Sequence, residues 1–142
     1  MPAYFVDLYG SPKSSKTEKK WSFFVEKRGA ISVEGQFSVR DFRKGDLRAV
    51  AVFEIPSLKL VGVRLHLPRK WTAPQVEAAL NAYGNNWKSL EKTFGINTWL
   101  TPDGAKAVSM LNYMEFQSPE IVETARKVVE RDKAQRNAVP EF

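Results

Sequence analysis

The residues of this chain that could do acid–base chemistry are few and widely spaced. His66 is the only histidine, and the chain contains no cysteine. A lone histidine cannot form a multi-histidine metal site, and without cysteine there is no thiolate ligand, thiol nucleophile or disulfide. As a catalytic base, His66 would need an orienting carboxylate and a nucleophile, and the sequence nominates neither. We interpret His66 as an ordinary surface or edge histidine, on the strand face that carries Arg64.

Three glutamates, Glu26, Glu34 and Glu54, are predicted to share one face of a sheet. Paired carboxylates can perform acid–base chemistry or hydrolyse a glycosidic bond. The same strands carry arginines that could pair with them across the sheet, and ion pairing is the simpler interpretation. These arginines are Arg28, Arg40, Arg48 and Arg64. A hydrolase with an unrecognised carboxylate site is therefore only a second alternative.

Motifs for phosphate and acyl chemistry are absent from the sequence. It contains neither G-x-G-x-x-G nor G-x-x-x-x-G-K-[ST], and no G-x-S-x-G nucleophile elbow. We predict no catalytic residue, no metal and no cofactor, and we expect that the chain is not an enzyme.

Positive charge is concentrated in the first half of the chain. Residues 1–70 contain 14 lysines and arginines against 7 acids, whereas residues 71–142 contain 8 against 9. The asymmetry indicates either an anionic partner or charge that serves solubility. The candidate contacts to an anionic partner are Lys13, Lys16, Lys19, Lys20, Arg43, Lys44, Arg69 and Lys70.

The elements that would position these residues begin with a meander. A short apolar helix over Ala3–Tyr9 is predicted to end at Gly10, and residues 11–20 are predicted to form a mobile basic loop. Alternating apolar residues predict strands over 21–28, 31–39, 47–55 and 59–67, with Trp21 facing inward.

A helix and a second set of strands follow. Thr72 is the predicted N-cap, Gln75 completes a capping box, and Gly84 ends the helix. Shorter strands are predicted over 87–92, 97–101, 105–110 and 113–117. Ser118 begins a last helix, and residues 137–142 are predicted to form a frayed tail.

The order of these elements predicts the fold class. It is α+β, with two to three helices packed on antiparallel sheet, in a pseudo-repeat of short helix–ββββ–α–ββββ–α. The length of 142 residues favours a single domain over 1–142.

Three short patterns resemble those of small bacterial exported proteins. Tyr9-Gly10-x-Pro12 ends a helix before a meander, Ala82-Tyr83-Gly84 precedes Trp87-Lys88, and Trp99-x-x-Pro102-Asp103-Gly104 begins a hairpin. Together they are similar to uncharacterised envelope proteins with a small outer-membrane lipoprotein or β-lactamase-inhibitor-like layout. The chain departs from that layout because it lacks a lipid-attachment cysteine and has a shorter first helix. The resemblance implies protein–protein binding without catalysis.

The compartment is left open by the sequence. One hypothesis is that Met1 replaces a removed export signal, which would place the protein in the envelope or periplasm. The alternative is a native start in the cytoplasm. The chain has no stretch of 18 uncharged apolar residues that would span a membrane.

We therefore expect a non-enzymatic binding domain for a protein partner at the bacterial envelope. The alternative is a single-stranded nucleic-acid-binding protein that uses a basic rim and a sheet face, since a doubled ββββα unit also occurs in single-strand-binding folds of the Whirly and purine-rich-element type. Against it, only Phe24 and His66 are predicted to be available for base stacking on that face, and its glutamates would repel phosphates. The oligomeric state is not predicted.

Overall fold

The computed structural model describes residues 10–26, 28–90 and 95–137. Its strands are β1 (Ser14–Val25), β2 (Gly29–Lys44), β3 (Leu47–Glu54), β4 (Lys59–His66), β5 (Lys88–Ser89), β6 (Asn97–Leu100), β7 (Lys106–Met110) and β8 (Tyr113–Gln117). Its helices are α1 (Ala73–Tyr83) and α2 (Pro119–Asn137). The strands form one antiparallel sheet in the order β1-β2-β3-β4-β8-β7-β6-β5, which confirms the predicted α+β class.

The two halves of the chain are joined at the centre of the sheet. β4 pairs antiparallel with β8, from Gly62 opposite Gln117 to His66 opposite Tyr113. Each half is a meander that starts at an outer edge of the sheet, with β1 or β5, and ends at this junction.

One face of the sheet, the α1 face, is covered by α1. Thr72 begins this helix as predicted: its Oγ1 accepts a hydrogen bond from the Gln75 amide at 3.4 Å, and the Thr72 amide donates to Gln75 Oε1 at 2.9 Å. The buried cluster beneath the helix is apolar throughout, which gives this face a continuous hydrophobic core. Its members are Phe42, Ala49, Ala51, Phe53, Val63, Leu65, Ala79, Ala107, Met114 and Phe116.

The opposite face of the sheet is the α2 face. Helix α2 covers only part of this face. Ile121 and Ala125 of α2 pack on apolar residues of the first four strands. Gly62 allows the ring of Phe23 to lie close to the backbone, because an added Cβ would be 2.9 Å from Phe23 Cε1. The strand residues of this cluster are Phe23, Val33, Phe37, Val39, Val50, Val52 and Val61.

The segment 11–20 corrects the sequence prediction. The sequence predicts a mobile loop, but Ser14–Lys20 belongs to β1 and pairs with β2 from Asp41 to Glu34. The pattern misled because this stretch has no apolar alternation. An edge strand with exposed side chains is held by its backbone ladder, and lysines are common on such edges because they discourage further strand pairing.

The other differences concern the ends of elements. β2 ends at Lys44, beyond the end of the strand predicted over 31–39, and the strand predicted over 87–92 is described only as Lys88–Ser89. α2 reaches Asn137, so the predicted tail begins one residue too early. The helix predicted over Ala3–Tyr9 and residues 138–142 lie outside the described residues.

Candidate functional site

The uncovered part of the α2 face forms a cleft of about 450 Å³. It lies at the end of the sheet where β1 begins and where β2 turns into β3. We call it the basic cleft, and the charged and aromatic side chains in its wall are Lys16, Trp21, Asp41, Arg48, Arg64 and His66.

Strand alternation places these side chains in the cleft. On β3, Val52 and Val50 lie on the α2 face. Arg48 precedes Val50 by two residues, so it lies on the same face by strand alternation. On β4, Arg64 and His66 lie on that face, opposite Val50 and Arg48. The face therefore changes from apolar to charged along each strand, and α2 contacts the apolar part.

Arg48 and Asp41 form an ion pair on the wall of the cleft. Arg48 Nη2 donates to Asp41 Oδ2 at 2.7 Å, and Arg48 Nε donates to the same oxygen at 3.1 Å. The hydrogen bond to Asp41 raises the pKa of the Arg48 guanidinium. The pair offsets the negative charge of Asp41, so this carboxylate does not make the cleft acidic.

His66 shares the α2 face with Arg64, as predicted, and contacts Tyr113 with 5.3 Å between ring centroids. Burial lowers the pKa of the imidazole, and the charges of Arg48 and Arg64 lower it further. No carboxylate in the described chain hydrogen-bonds to His66, so this part of the structure contains no histidine–carboxylate catalytic pair.

Glu115 is the centre of a buried polar network beside the cleft. Its side chain is 1% exposed, and it accepts hydrogen bonds from Arg64 Nε at 3.0 Å and from Tyr113 Oη at 2.5 Å. It also accepts a hydrogen bond from the Phe24 amide at 2.7 Å and one from Gln117 Nε2. Burial, and then Glu115, raise the pKa of Tyr113, so its phenol is a protonated donor. The buried carboxylate is thus fully satisfied.

Trp21 is the aromatic platform of the basic cleft. The sequence predicts that it faces inward, and it does pack partly on the α2-face core, but its half-buried ring also lines the cleft. The Arg64 guanidinium carbon lies 4.9 Å from the ring centroid and Lys16 Nζ lies 5.8 Å from it. Both distances are within the range of cation–π contacts.

Six of the eight predicted anionic-partner contacts lie at this end of the sheet. The Lys13 amide bonds to Asp41 O, Lys16 lines the cleft, and Arg43 lies opposite Arg48 in the ladder. Lys44 adjoins the β2–β3 turn, and Arg69 forms an ion pair with Asp46 of that turn at 3.0 Å. The sixth residue, Lys70, follows Arg69 and lines a separate pocket with Trp71 and Leu111, outside the basic cleft. We call Lys13, Lys16, Arg43, Lys44, Arg69 and Lys70 the basic rim.

The other two predicted contacts do not join the rim. Lys20 lies opposite Glu34, near an irregularity in the β1–β2 register, and Lys19 precedes it. Lys20 is six residues from Ser14 along β1, a separation of roughly 20 Å in an extended strand.

The three glutamates proposed as a carboxylate site are not brought together. Glu34 lies opposite Lys20, Glu54 lies opposite Lys59, and Glu26 forms an ion pair with Lys106 at 3.2 Å. Three of the four arginines expected to pair with them bind other acids: Arg28 pairs with Asp132, Arg48 with Asp41 and Arg64 with Glu115. The fourth, Arg40, donates to Ser38 Oγ instead. Two of these acids, Asp132 of α2 and Glu115 of β8, come from distant parts of the sequence, which no local pattern shows.

The sequence does carry an unused signal for the buried network. Tyr113, Glu115 and Gln117 alternate with the buried Met114 and Phe116, which marks a polar row on the second face of β8. This row is the partner of the Arg64–His66 row on β4, but only the β4–β8 pairing shows it.

Comparisons with known proteins give no family for the chain. No family model, curated protein or solved structure matches it. Within the described residues, no cluster of three or more histidine and acidic side chains could hold a metal ion. Neither α1 nor α2 is long and apolar enough to cross a membrane.

Proposed function

We propose that this protein is a non-enzymatic binding protein and that the basic cleft and its rim take single-stranded nucleic acid. The observation that carries the proposal is that six predicted cationic contacts lie at one end of the sheet, the end that also holds the cleft with Trp21. A strand of nucleic acid offers regularly spaced phosphates for the rim and planar bases for stacking on an aromatic ring.

Unpaired charge supports an anionic partner. Lys13, Arg43, Lys44 and Lys70 make no salt bridge within the described residues. Lys13, Arg43 and Lys44 are exposed at the same end of the sheet, so their hydration is lost only on contact with a partner. Phosphate groups would gain these charges without breaking an internal ion pair.

The aromatic content of the cleft supports nucleic acid over a generic anion. Trp21 and His66 line the cleft and Tyr113 contacts His66 beside it, whereas the sequence suggests only Phe24 and His66 for stacking. The order ββββα–ββββα is compatible with a pseudo-repeat of two such units, and we include that pseudo-repeat in the proposal.

The test is fluorescence anisotropy with a labelled single-stranded oligonucleotide across a salt series. The triple variant Lys13→Gln/Arg43→Gln/Lys44→Gln removes three rim charges. Each lost phosphate contact should flatten the slope of log K against log salt by about 0.7. The matched control, Lys127→Gln/Arg131→Gln/Lys133→Gln, removes the same charge from exposed positions of α2 and should leave the slope unchanged. Equal slopes for the two triple variants would contradict the rim assignment.

Stacking is tested in the same assay. Trp21→Leu should cost about 1–3 kcal/mol of binding, as for a stacked base, whereas Phe24→Leu, outside the cleft, should change little. Poly-glutamate is the competing ligand, since it offers charge without bases. If poly-glutamate binds as tightly as the oligonucleotide and Trp21→Leu is neutral, the partner is an acidic protein surface and the nucleic-acid proposal fails.

A further inference from the structure

The edge strand β1 is held against the α2 face by side chains. At Ser22 and Phe24 the backbone groups that point away from β2 meet polar side chains of β4, β7 and β8. Ser22 O accepts from Arg64 Nη2, and the Phe24 amide donates to Glu115 Oε2 at 2.7 Å. Phe24 O accepts from Gln117 Nε2 at 2.9 Å and from Lys106 Nζ at 3.0 Å.

This arrangement fixes one segment of β1 over strands that are not its neighbours in the sheet. The holding side chains are deeply buried: Glu115 is 1% exposed, Gln117 3% and Lys106 5%. The Glu115 carboxylate, the Gln117 Nε2 group and the Lys106 ammonium all make hydrogen bonds, whereas Gln117 Oε1 is buried without a partner. The bonds that are made define the geometry of the contacts, because breaking them would leave buried polar groups unpaired. Trp21 directly precedes the held segment, and its backbone position follows from it.

Arg64 connects the network to the Trp21 ring. Its Nε donates to Glu115, its Nη2 donates to Ser22 O, and its guanidinium lies over Trp21 at 4.9 Å. Two of these contacts fix the plane of the guanidinium, and the third places that plane against the indole. Arg64 is therefore committed to internal partners, unlike the rim cations with no internal salt bridge.

We propose that Arg64 and Glu115 are positioning residues that hold Trp21 as the base-stacking platform of the cleft. The proposal rests on the proposed function. It assigns Arg64 no phosphate contact: its charge is neutralised by Glu115, and its effect on binding passes through the orientation of the indole. Lysine cannot replace it, because an ammonium group offers neither the planar surface nor the fork of donors.

A double-mutant cycle tests the assignment. Arg64→Lys keeps the charge, so the slope of log K against log salt should not change, while affinity should fall roughly 5- to 150-fold, as for a lost stacked base. The double variant Arg64→Lys/Trp21→Leu should bind no more than about twofold weaker than Trp21→Leu alone, because both changes remove one interaction. Losses that multiply, or full affinity in Arg64→Lys, would overturn the proposal.

A measurement without ligand separates this proposal from the proposed function. In protein labelled with 5-fluorotryptophan, the ¹⁹F resonance of Trp21 is assigned by its absence in Trp21→Leu. Arg64→Lys and Glu115→Gln should both move that resonance. The other tryptophans, Trp71, Trp87 and Trp99, pack on the α1 face and should keep their shifts, which also shows that each variant is folded.

The outcomes are distinct. A Trp21 resonance that does not respond to either variant contradicts the positioning role, whether or not nucleic acid binds. A shifted resonance with no detectable oligonucleotide binding overturns the proposed function, and with it the base platform. Shifts of all four resonances in Glu115→Gln would indicate general unfolding of that variant. The positioning role is then judged from the Trp21 resonance of Arg64→Lys alone, since Arg64 is partly exposed.

Discussion

The two faces of this sheet are formed by the same strands but differ in the residues they carry and in how far a helix covers them. The α1 face has one continuous apolar cluster, from Phe42 to Phe116, and a helix and several tryptophans cover it. The α2 face is apolar only where Ile121 and Ala125 contact it, and beyond them it becomes charged. Burial on one face supplies the stability that allows the other to keep polar groups uncovered. The contrast separates a face that serves folding from one that is available for binding.

The largest expected effect tests the boundary between the two parts of the α2 face. Glu115→Ala removes the acceptor of Arg64, Tyr113, Gln117 and the Phe24 amide. Breaking a buried ion pair costs about 3–5 kcal/mol, and we expect roughly 3 because Arg64 keeps some solvent contact. The loss in the free energy of unfolding is measured by urea unfolding of wild type and variant, analysed with one shared m-value.

The matched control is Glu34→Ala, at an exposed glutamate on β2. It should change the free energy of unfolding by less than about 0.5 kcal/mol. If the two variants were equally stable, the network around Glu115 would not hold β1, and the charged part of the face would be only a solvated surface.

The second effect concerns the start of the helix that covers the α1 face. Thr72→Ala removes the side chain that accepts from the Gln75 amide, and it should cost about 0.5–2 kcal/mol. Thr17→Ala, at an exposed position of the edge strand, is the control and should cost almost nothing. Thermal unfolding followed by circular dichroism distinguishes them. Equal losses would mean that the capping box does not secure α1.

Features that depend on neighbouring residues could be predicted from the sequence. The capping box at Thr72, the turn at Pro102-Asp103-Gly104 and the start of α2 after Ser118 all depend on residues a few positions apart, and all three form as predicted. The backbone amide of Gly104 donates to Thr101 O at 3.1 Å, which closes the turn. Local chemistry is sufficient for such elements because their partners are adjacent in the chain.

The basic cleft could be predicted only in part. The shared face of Arg64 and His66 follows from alternation on one strand, and the sequence groups the rim cations by their charge alone. Trp21 and Glu115 were missed because their roles depend on the β4–β8 pairing and on the contact of β1 with strands far from it in the sheet. Such contacts join residues up to 93 positions apart, as between Phe24 and Gln117, and no local pattern encodes them.

The smallest expected effect is the pH dependence of stability that His66 contributes in the basic cleft, at the uncovered end of the α2 face. His66 is half-buried between Arg48 and Arg64, and burial followed by these two charges lowers its pKa below the ordinary 6.5, while Asp41 and Glu115 act in the opposite direction. Between the lowered value and 6.5 the unfolded chain binds more protons than the folded one. The unfolding free energy therefore rises with pH through that window, and its contribution is lost as the pH falls below it.

His66→Gln removes this dependence. The difference in unfolding free energy between wild type and His66→Gln should grow from pH 5 to pH 7, by less than about 1 kcal/mol because solvent screens a half-exposed ring. Arg48→Gln is the informative second variant, since it removes one positive neighbour and leaves Asp41 unpaired beside the imidazole. It should raise the pKa of His66 and flatten the pH dependence. Parallel pH profiles for wild type and His66→Gln would show that the arginines of the cleft do not act on the imidazole. The open end would then be electrostatically no different from the rest of the exposed surface.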